Sequence, residues 1–512
     1  MTFHSVLVRT PKESAYIESQ EAPDSFRDLN LDQVVETITA DWQEYRLAPF
    51  YHAPLHNLDA IAYRQEVMRD LQDGPTMQAI RAFSEAMRSM REGLAQAETF
   101  HYYEHTQQRC FLRAVEIYCA AVESLFADLS AHFLVSYALT ALRQYLGEYI
   151  ASPAFRQLIA EAAQLTADLA AIRYSVLLRE GSVTVRRTDT EIDYSAAVEA
   201  IFEKFRRGVA TSYWLDKQKW KGMNHVEAQI QQRVALLFPE AFARLPSFFA
   251  AHAEYADRTL LRFDREVQFY VSYLTYVQKL RGRGLAFSQP VLSQSSKEIR
   301  ASKVFDIALA GKLLDTKTNV VTNDFFLKGH ERIFVVSGAN QGGKTTFART
   351  FGQMHYLAAL GCPVPGEDAH LFLFDRLFTH FERKEDIRNL RGKLQDDLVR
   401  IHHILDNASP QSLIVMNEIF ASTTLLDALY LGMKILAKIS ALDVLAVCVT
   451  FLDELASFNE KTVSVVSIVD PANPAIRTYK LERKPADGLA YAMAIAQKYR
   501  VTYDSLKERI PS

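Results

Sequence analysis

Residues 332–351 read RIFVVSGANQGGKTTFARTF: an apolar run, a glycine-rich turn, then a helix-forming stretch. No other segment restricts the fold as tightly. The apolar strand has to end in a turn that Gly338, Gly342 and Gly343 allow to bend, and a helix has to begin directly behind it. The spacing G-x-x-x-x-G-K-T, here Gly338, Gly343, Lys344 and Thr345, is that of a phosphate loop. In such a loop the backbone N–H groups of Gly338, Ala339, Asn340, Gln341, Gly342, Gly343, Lys344, Thr345 and Thr346 surround phosphate oxygens, and the helix N-terminus adds a favourable dipole. Lys344 reaches the outer phosphates, and the Thr345 hydroxyl serves Mg²⁺.

The rest of the chain divides around this element. Glycine (19) and proline (16) are scarce for 512 residues, against an average of about 12% for the two together, and the deficit points to helix. Eight glycines lie between Gly74 and Gly284, and eight more crowd into Gly311–Gly366, so the chain changes character near residue 300. Before that point apolar residues step by threes and fours, as in Phe111, Val115, Tyr118, Ala121, Leu125 and Leu129, which predicts long helices, some over about 25 residues. Val183 and Val185, after Gly181, read as a short hairpin or loop. The stretch 284–303 has linker composition. Beyond it the runs RIFVVS, AHLFLF, SLIVM, VLAVCVT and TVSVVSIV alternate with helix-like stretches, the pattern of a mostly parallel sheet covered by helices. The expectation is an α + α/β fold: an N-terminal segment 1–29, a helical region 30–283, a linker 284–303 and a sheet domain 304–512.

A phosphate loop needs a second acidic element on a neighbouring strand. SLIVMNEIF supplies it, with Asn417 where the first acid usually stands and Glu418 as the residue that could deprotonate an attacking water. Asn417 can still accept a hydrogen bond from a Mg²⁺-bound water, but without charge. With a net charge of -3 the chain has no global positive field, so nucleic-acid contacts would come from a local patch. The best is Arg186, Arg187, Arg206, Arg207, Lys217, Lys219 and Lys221, with Trp214 and Trp220 among the cations; a solvated helix face is the alternative. His101 and His105, followed by Cys110, have metal-ligand spacing without a third ligand, as do His402 and His403 with Asp406. Four cysteines without a CxxC pair, no basic-then-apolar leader and no run of about 18 apolar residues lead to the expectation of a cytoplasmic protein away from membranes.

The ordered motifs resemble the MutS family of DNA mismatch-repair ATPases. SGANQGGKTT (Ser337–Thr346) is similar to the family's TGPNMGGKST. Val364 and Pro365, then Asp375, Arg376, Leu377, Phe378 and Thr379, resemble its VP pair and DRIFTR strand. Asn323 and Asp324 resemble its PND element beside the nucleotide base, and Pro54, Leu55, Ile61, Arg64, Val67 and Leu71 resemble its core segment. The resemblance implies a long-helix core, lever and clamp followed by an ABC-type ATPase that works as a homodimer, with ATP and Mg²⁺ as cofactors and duplex or branched DNA as partner. In that arrangement Thr423 and Thr424 act in the partner subunit's site.

Departures from the family pattern shape the expected activity. The signature loop GRGTSTYDG corresponds to FASTTLLDA, which keeps Thr423, Thr424 and Asp427 but no glycine, and the family's ATHYFEL corresponds to VTFLDEL, with Phe451 in place of histidine. A phenyl ring neither donates nor accepts a hydrogen bond to phosphate. Only about 30 residues precede the helices and the Phe-x-Glu triplets at Phe83 and Phe238 sit in helical or proline-turn contexts, so mismatch insertion is not expected. The expectation is an ATP-binding DNA clamp with slow or weak ATPase activity; the alternative is a nucleotide-gated scaffold that does not hydrolyse ATP and holds a protein or ribonucleoprotein partner.

Overall fold

The computed structural model describes residues 3–99, 103–180, 182–188, 225–316, 318–382, 392–420, 422–470, 472, 476–486, 502, 503, 506 and 507. It separates into two compact units. One comprises Gln78–His132 and Arg143–Leu261, the other Met1–Met77, Phe133–Leu142 and Arg262–Ser512.

The first of these units is helical. The longest helix among its described residues, Glu104–Ala131, runs 28 residues and buries Phe111, Val115, Tyr118, Ala121, Leu125 and Leu129, the residues stepping by three and four. Phe111 packs edge-on against Phe248 and Phe249 of the helix Pro239–Ala251 and Tyr255 just after it, with centroids 4.7–6.2 Å away. The expected hairpin is present: Tyr174–Arg179 pairs antiparallel with Ser182–Arg187, and Val176 stands opposite Val185.

The second unit holds the sheets. In chain order the strands of its six-stranded sheet are β1 (Ile333–Gly338), β2 (Leu377–Phe381), β3 (Leu413–Asn417), β4 (Leu445–Val449), β5 (Thr462–Val469) and β6 (Arg477–Arg483). They lie in the order β2-β3-β4-β1-β5-β6, all parallel except β6. Helices α1 (Lys344–Ala359), α2 (Lys393–Asn407) and α3 (Leu425–Leu442) connect them. Residues Leu413–Asn417 and Leu445–Val449 are buried throughout, which is why they read as continuous apolar runs rather than alternating ones. On one face Ile414 and Met416 pack with Ile401, Ile404, Ile435, Leu436 and Ile439 from α2 and α3.

Two sequence expectations change. The run AHLFLF does not enter the parallel sheet. Asp368–Phe372 joins a separate four-stranded sheet with Val291–Ser293, Ile299–Val304 and Asn323–Leu327, and the following DRLFTH segment supplies β2 instead. Asp375 fixes this switch by accepting hydrogen bonds from Ser409 and Ser412 just before β3, while its own N–H donates to the Gln411 carbonyl. The stretch 284–303 is likewise not a bare linker. Ile299, Ala301 and Val304 are buried at the spacing of a strand with a bulge, and they pair with Leu327, Phe325 and Asn323.

One charge cluster ties the sheet's rear edge together. Asp443, in the left-handed conformation at the end of α3, receives Lys297 at 3.1 Å, Arg332 at 3.0 Å and Lys461 at 2.7 Å. Burial opposes ionisation of this carboxyl, but hydrogen bonds from Lys461, Lys297 and Arg332 outweigh it and hold the carboxyl far below the ordinary carboxylate range. Its folded pKa is depressed, so its stabilising effect is complete above the unfolded value of about 3.9 and fades as pH falls below it. Asp443→Asn keeps the left-handed preference and removes the charge. Because the side chain is partly exposed, the expected cost is only about 1 kcal/mol, read as a lower melting temperature at pH 7 whose difference from wild type narrows below about pH 4.

Candidate functional site

The buried strand β1 ends where its neighbour crowds it. Ser467 of β5 is in register with Gly338, and a β-carbon on Gly338 would stand 2.7 Å from Ser467 Oγ. One on Gly342 would stand 2.5 Å from that oxygen and 2.8 Å from the Ala339 carbonyl oxygen. Gly338 and Gly343 adopt φ of 102° and 93°. These glycines are therefore required by close approach and by positive φ together. The result is a loop curled over the first turn of α1, closed by a 3.1 Å bond from the Gly342 N–H to the Ala339 carbonyl.

Lys344 opens α1 and is buried at 4% exposure. Its ammonium donates to the carbonyls of Gly338 at 2.8 Å and Ala339 at 3.1 Å and lies 4.5 Å from the centroid of the Phe451 ring. Burial lowers its pKa, and the Glu418 carboxylate opposes that shift. Thr345, one residue on, donates its hydroxyl to Asn417 Oδ1 at 2.8 Å. Asn417 ends β3, so α1 and the second motif meet through this bond. Glu418 follows at a φ of 55°, its N–H donating to the Val449 carbonyl of β4 at 2.9 Å. Burial raises the Glu418 pKa, with Lys344 opposing and Glu382 reinforcing the shift. A carboxyl held in this way suits proton transfer near neutrality better than a solvated one.

Lys344, Thr345, Glu418 and Phe451 line a single cavity of about 650 Å³, with Asn417 behind Thr345 and outside the lining. Polar lining comes from Asn340, Gln341, Gly342, Gly343, Lys344, Thr345, Thr346, Glu418, Thr318, Asn319 and Asn323, and apolar or aromatic lining from Leu309, Leu313, Val320, Val321, Phe451 and Tyr479, whose backbone lies against Gly343. Backbone donors, an ammonium and a helix start in one cavity with apolar walls and aromatic rings match a molecule carrying phosphates on a planar organic group. A Thr hydroxyl bonded to an amide oxygen beside a carboxylate is a hard-oxygen donor set, which suits Mg²⁺.

Tyr479 escaped the sequence reading. It lies on β6 with φ of 60° and its ring is half exposed. Asn323 fixes it, donating from Nδ2 to the Tyr479 carbonyl at 3.1 Å and accepting from the Leu481 N–H at 2.8 Å. Asn323 thus lines the cavity with its amide already engaged, and the resemblance at Asn323 was the only signal that pointed near Tyr479. Asp324 does not line the cavity. Its carboxylate accepts from the Lys303 N–H at 2.7 Å, where Lys303 takes a φ of 49° in the bulge of the strand Ile299–Val304, so the acid braces that bulge.

Other expected residues lie elsewhere. Thr423 and Thr424 are not in the cavity; Thr424 caps α3 through the Asp427 N–H at 3.2 Å. Arg186 and Arg187 are on the exposed hairpin, and Arg187 lies 4.8 Å from the Phe238 ring centroid. Arg206, Arg207, Trp214, Lys217, Lys219, Trp220, Lys221 and His101 lie outside the described residues. Among the described residues no three His, Cys, Asp or Glu side chains are placed to hold a metal. His105 meets Phe242 edge-on at 4.9 Å, and His402 pairs with Asp406 at 2.6 Å. No single helix among the described residues is long and apolar enough to cross a membrane.

Comparison with known proteins assigns the second unit's C-terminal part. Residues 334–504 match the family described as MutS domain V. By this match the C-terminal part of the chain is similar to the MutS family. It is similar to the DNA mismatch repair protein MutS of Caldicellulosiruptor bescii, 26% identical over 200 residues, 37% of this chain and 23% of that protein. The protein of the same name from Thermosipho melanesiensis is 26% identical over 185 residues, and that from Caldicellulosiruptor saccharolyticus 28% over 191 residues, each covering 35% of this chain and 22% of the relative. The chain thus matches less than a quarter of the length of these MutS proteins.

The packing of the loop gives a direct test. Gly342→Ala is expected to lower stability by about 1–3 kcal/mol through overpacking. Gly93, inside the helix Gly74–Thr99, is the contrasting site, because a β-carbon there would meet nothing within 4 Å. At that position alanine is expected to stabilise by up to about 1 kcal/mol. Thermal denaturation of both variants measures the difference.

Proposed function

We propose that this chain is a MutS-family ATP-binding DNA clamp with slow or weak hydrolysis, its phosphate-loop ATPase domain pairing with a second copy across the nucleotides. The observation that carries the reading is that Lys344, Thr345 and Glu418 line one cavity together with apolar side chains, with Asn417 joined to it through the Thr345 hydroxyl. The loop N–H groups and Lys344 bind the phosphates, and Tyr479 with Leu309, Leu313, Val320 and Val321 encloses the base. Thr345 and Asn417 would hold Mg²⁺, which when bound neutralises phosphate charge. Glu418 orients water and takes its proton. Asn417 holds the ion without a charge of its own and Phe451 offers the terminal phosphate no hydrogen bond, which supports slow turnover.

Pairing is supported by α3, whose start leaves Leu425, Leu426 and Tyr430 at 69%, 79% and 62% exposure beside Thr423 and Thr424. A second copy would cover this surface and receive the two threonines. The DNA reading draws on the names of the relatives and on the cations of Arg186 and Arg187. Backbone contacts from such side chains position a duplex with little sequence reading.

Two measurements check this function. Titration with a fluorescent ATP analogue in the presence of Mg²⁺ is expected to show saturable binding by the wild type and a loss of at least about tenfold in Lys344→Ala, since a charge-assisted contact to phosphate is worth about 1.5–3 kcal/mol. Equal binding by the two proteins would refute the phosphate-loop reading. Phosphate release is expected to be slow, stimulated by duplex or branched DNA and abolished in Glu418→Gln. Absence of release with intact ATP binding would instead support the second reading, a nucleotide-gated scaffold, which Asn417 and Phe451 favour.

A further inference from the structure

The glycine loop contains one residue whose backbone conformation its side chain does not favour. The 3.1 Å bond from the Gly342 N–H to the Ala339 carbonyl closes a four-residue turn, 339–342, in which Gln341 alone takes a positive φ, 58°. That is the geometry of a type II turn, where glycine or asparagine is usual at this place. A type I turn would close the same bond without a left-handed residue, by rotating the 340–341 peptide plane by about 180°. A partner outside the turn holds the plane as it is. Arg477, half-buried at the start of β6, donates from Nε to the Asn340 carbonyl oxygen at 2.9 Å. The strand is itself seated beside the loop: Asn323 bonds it at Tyr479 and Leu481, and the Tyr479 carbonyl oxygen would stand 3.6 Å from a β-carbon on Gly343.

The C=O and N–H of one planar trans peptide point in opposite directions. The Asn340 carbonyl is drawn to Arg477, which does not line the cavity, so the N–H of Gln341 is turned the other way, and Asn340 and Gln341 both line the cavity. We propose that Arg477 is a positioning residue for the phosphate loop: its bond to Asn340 keeps the 340–341 peptide turned so that the Gln341 N–H faces bound phosphate. In the flipped, relaxed turn a carbonyl oxygen would face the phosphate in place of that N–H, and the two negatively charged oxygens would repel. The strain at Gln341 is thus held by a strand whose arginine lies 137 residues from Asn340 in sequence, and the loop is ready before a nucleotide arrives. The inference rests on the nucleotide-binding reading of the cavity and names the residue that readies its loop. Burial lowers the Lys344 pKa and the Arg477 charge lowers it further, so Arg477 also acts on the cavity through its charge, and charge and hydrogen bond have to be separated.

The test is titration of a fluorescent ATP analogue, with Mg²⁺, into the full chain carrying Arg477→Ala alone and combined with Gln341→Gly or Gln341→Ala. Arg477→Ala is expected to weaken binding by about threefold to tenfold, the range that one hydrogen bond supplies. Glycine takes a positive φ at no steric cost, so adding Gln341→Gly is expected to recover most of that loss without restoring a charge, whereas Gln341→Ala, which keeps the left-handed strain, is expected to recover none. Unchanged affinity in Arg477→Ala would overturn the proposal while leaving nucleotide binding standing. So would a loss that Gln341→Gly leaves in place, the result of removing a nearby charge or a merely structural contact, or a loss that Gln341→Ala recovers equally. Failure of the wild type to bind the analogue overturns the nucleotide-binding reading and the proposal with it.

Discussion

The unit that carries the cavity is built around a charge with no carboxylate bonded to it. Arg64 is fully buried. Its guanidinium donates to the carbonyls of Leu7 at 3.1 Å and Leu360 at 3.3 Å and lies 5.3 Å from the Phe269 ring centroid. Burial lowers its pKa, and no ordinary shift is large enough to discharge an arginine, so the cation must be met by backbone oxygens. Three segments distant in sequence are thereby held in one register: the N-terminal stretch through Leu7, the helix Leu58–Asp70 that bears Arg64, and the residues that end α1. Gly361 belongs to this arrangement, because a β-carbon there would come within 2.7 Å of Arg64 Cβ. A shift of any one segment would strand a charge in the core, a penalty far larger than that of an apolar mismatch.

Helix α1 connects this buried cation to the cavity. At 16 residues it spans about 24 Å, with the glycine loop at its start and Arg64 at its end. Between them its polar side chains bind backbone of the N-terminal segments. Arg349 donates to the Asp28 carbonyl, Gln353 to that of Leu29 and Tyr356 to that of Tyr51. Gln353 Oε1 also accepts from the Ile307 N–H, where the short helix that carries Leu309 into the cavity begins. His355 is kept neutral, its pKa lowered to about 4 by burial. Rotation of α1 would therefore disturb the loop, the apolar wall and the N-terminal packing together. These elements move together because Arg349, Gln353 and Tyr356 would lose their backbone partners outside the helix.

The sequence showed most clearly what depends on local chemistry. The glycine loop, the strand before it and the helix after it follow from glycine's freedom and from apolar runs too continuous to be half-exposed. The step of three and four along Phe111–Leu129 and the hairpin at Val183 and Val185 were legible for the same reason. Long-range choices were not. Nothing in AHLFLF distinguishes a strand of one sheet from that of another; the decision lies with Asp375 and its hydrogen bonds to Ser409 and Ser412, more than thirty residues away in sequence. Residues 284–303 look like a linker because serine and lysine occupy the exposed positions of strands whose buried positions are few. Tyr479 was invisible because an edge-strand tyrosine has no motif, and its place depends on Asn323, over 150 residues away in sequence.

Asn417 shows how one uncharged atom changes what such a cavity requires. Its oxygen accepts the Thr345 hydroxyl, and the residue is only 8% exposed. A carboxylate at that position would place a second negative charge in a cavity whose wall already holds Glu418, with Lys344 engaged by carbonyls. Two carboxylates in such surroundings disfavour each other's ionised form unless a cation stands between them. The amide avoids this. It satisfies Thr345 and leaves β3 and α1 joined whether or not an ion is bound, so the geometry of the loop does not depend on the metal. The same substitution weakens the hold on a divalent cation, because a neutral oxygen contributes far less than a charged one to a hard ion. Structural independence from a metal, and a weaker hold on any divalent ion that would bind, thus follow from the same residue.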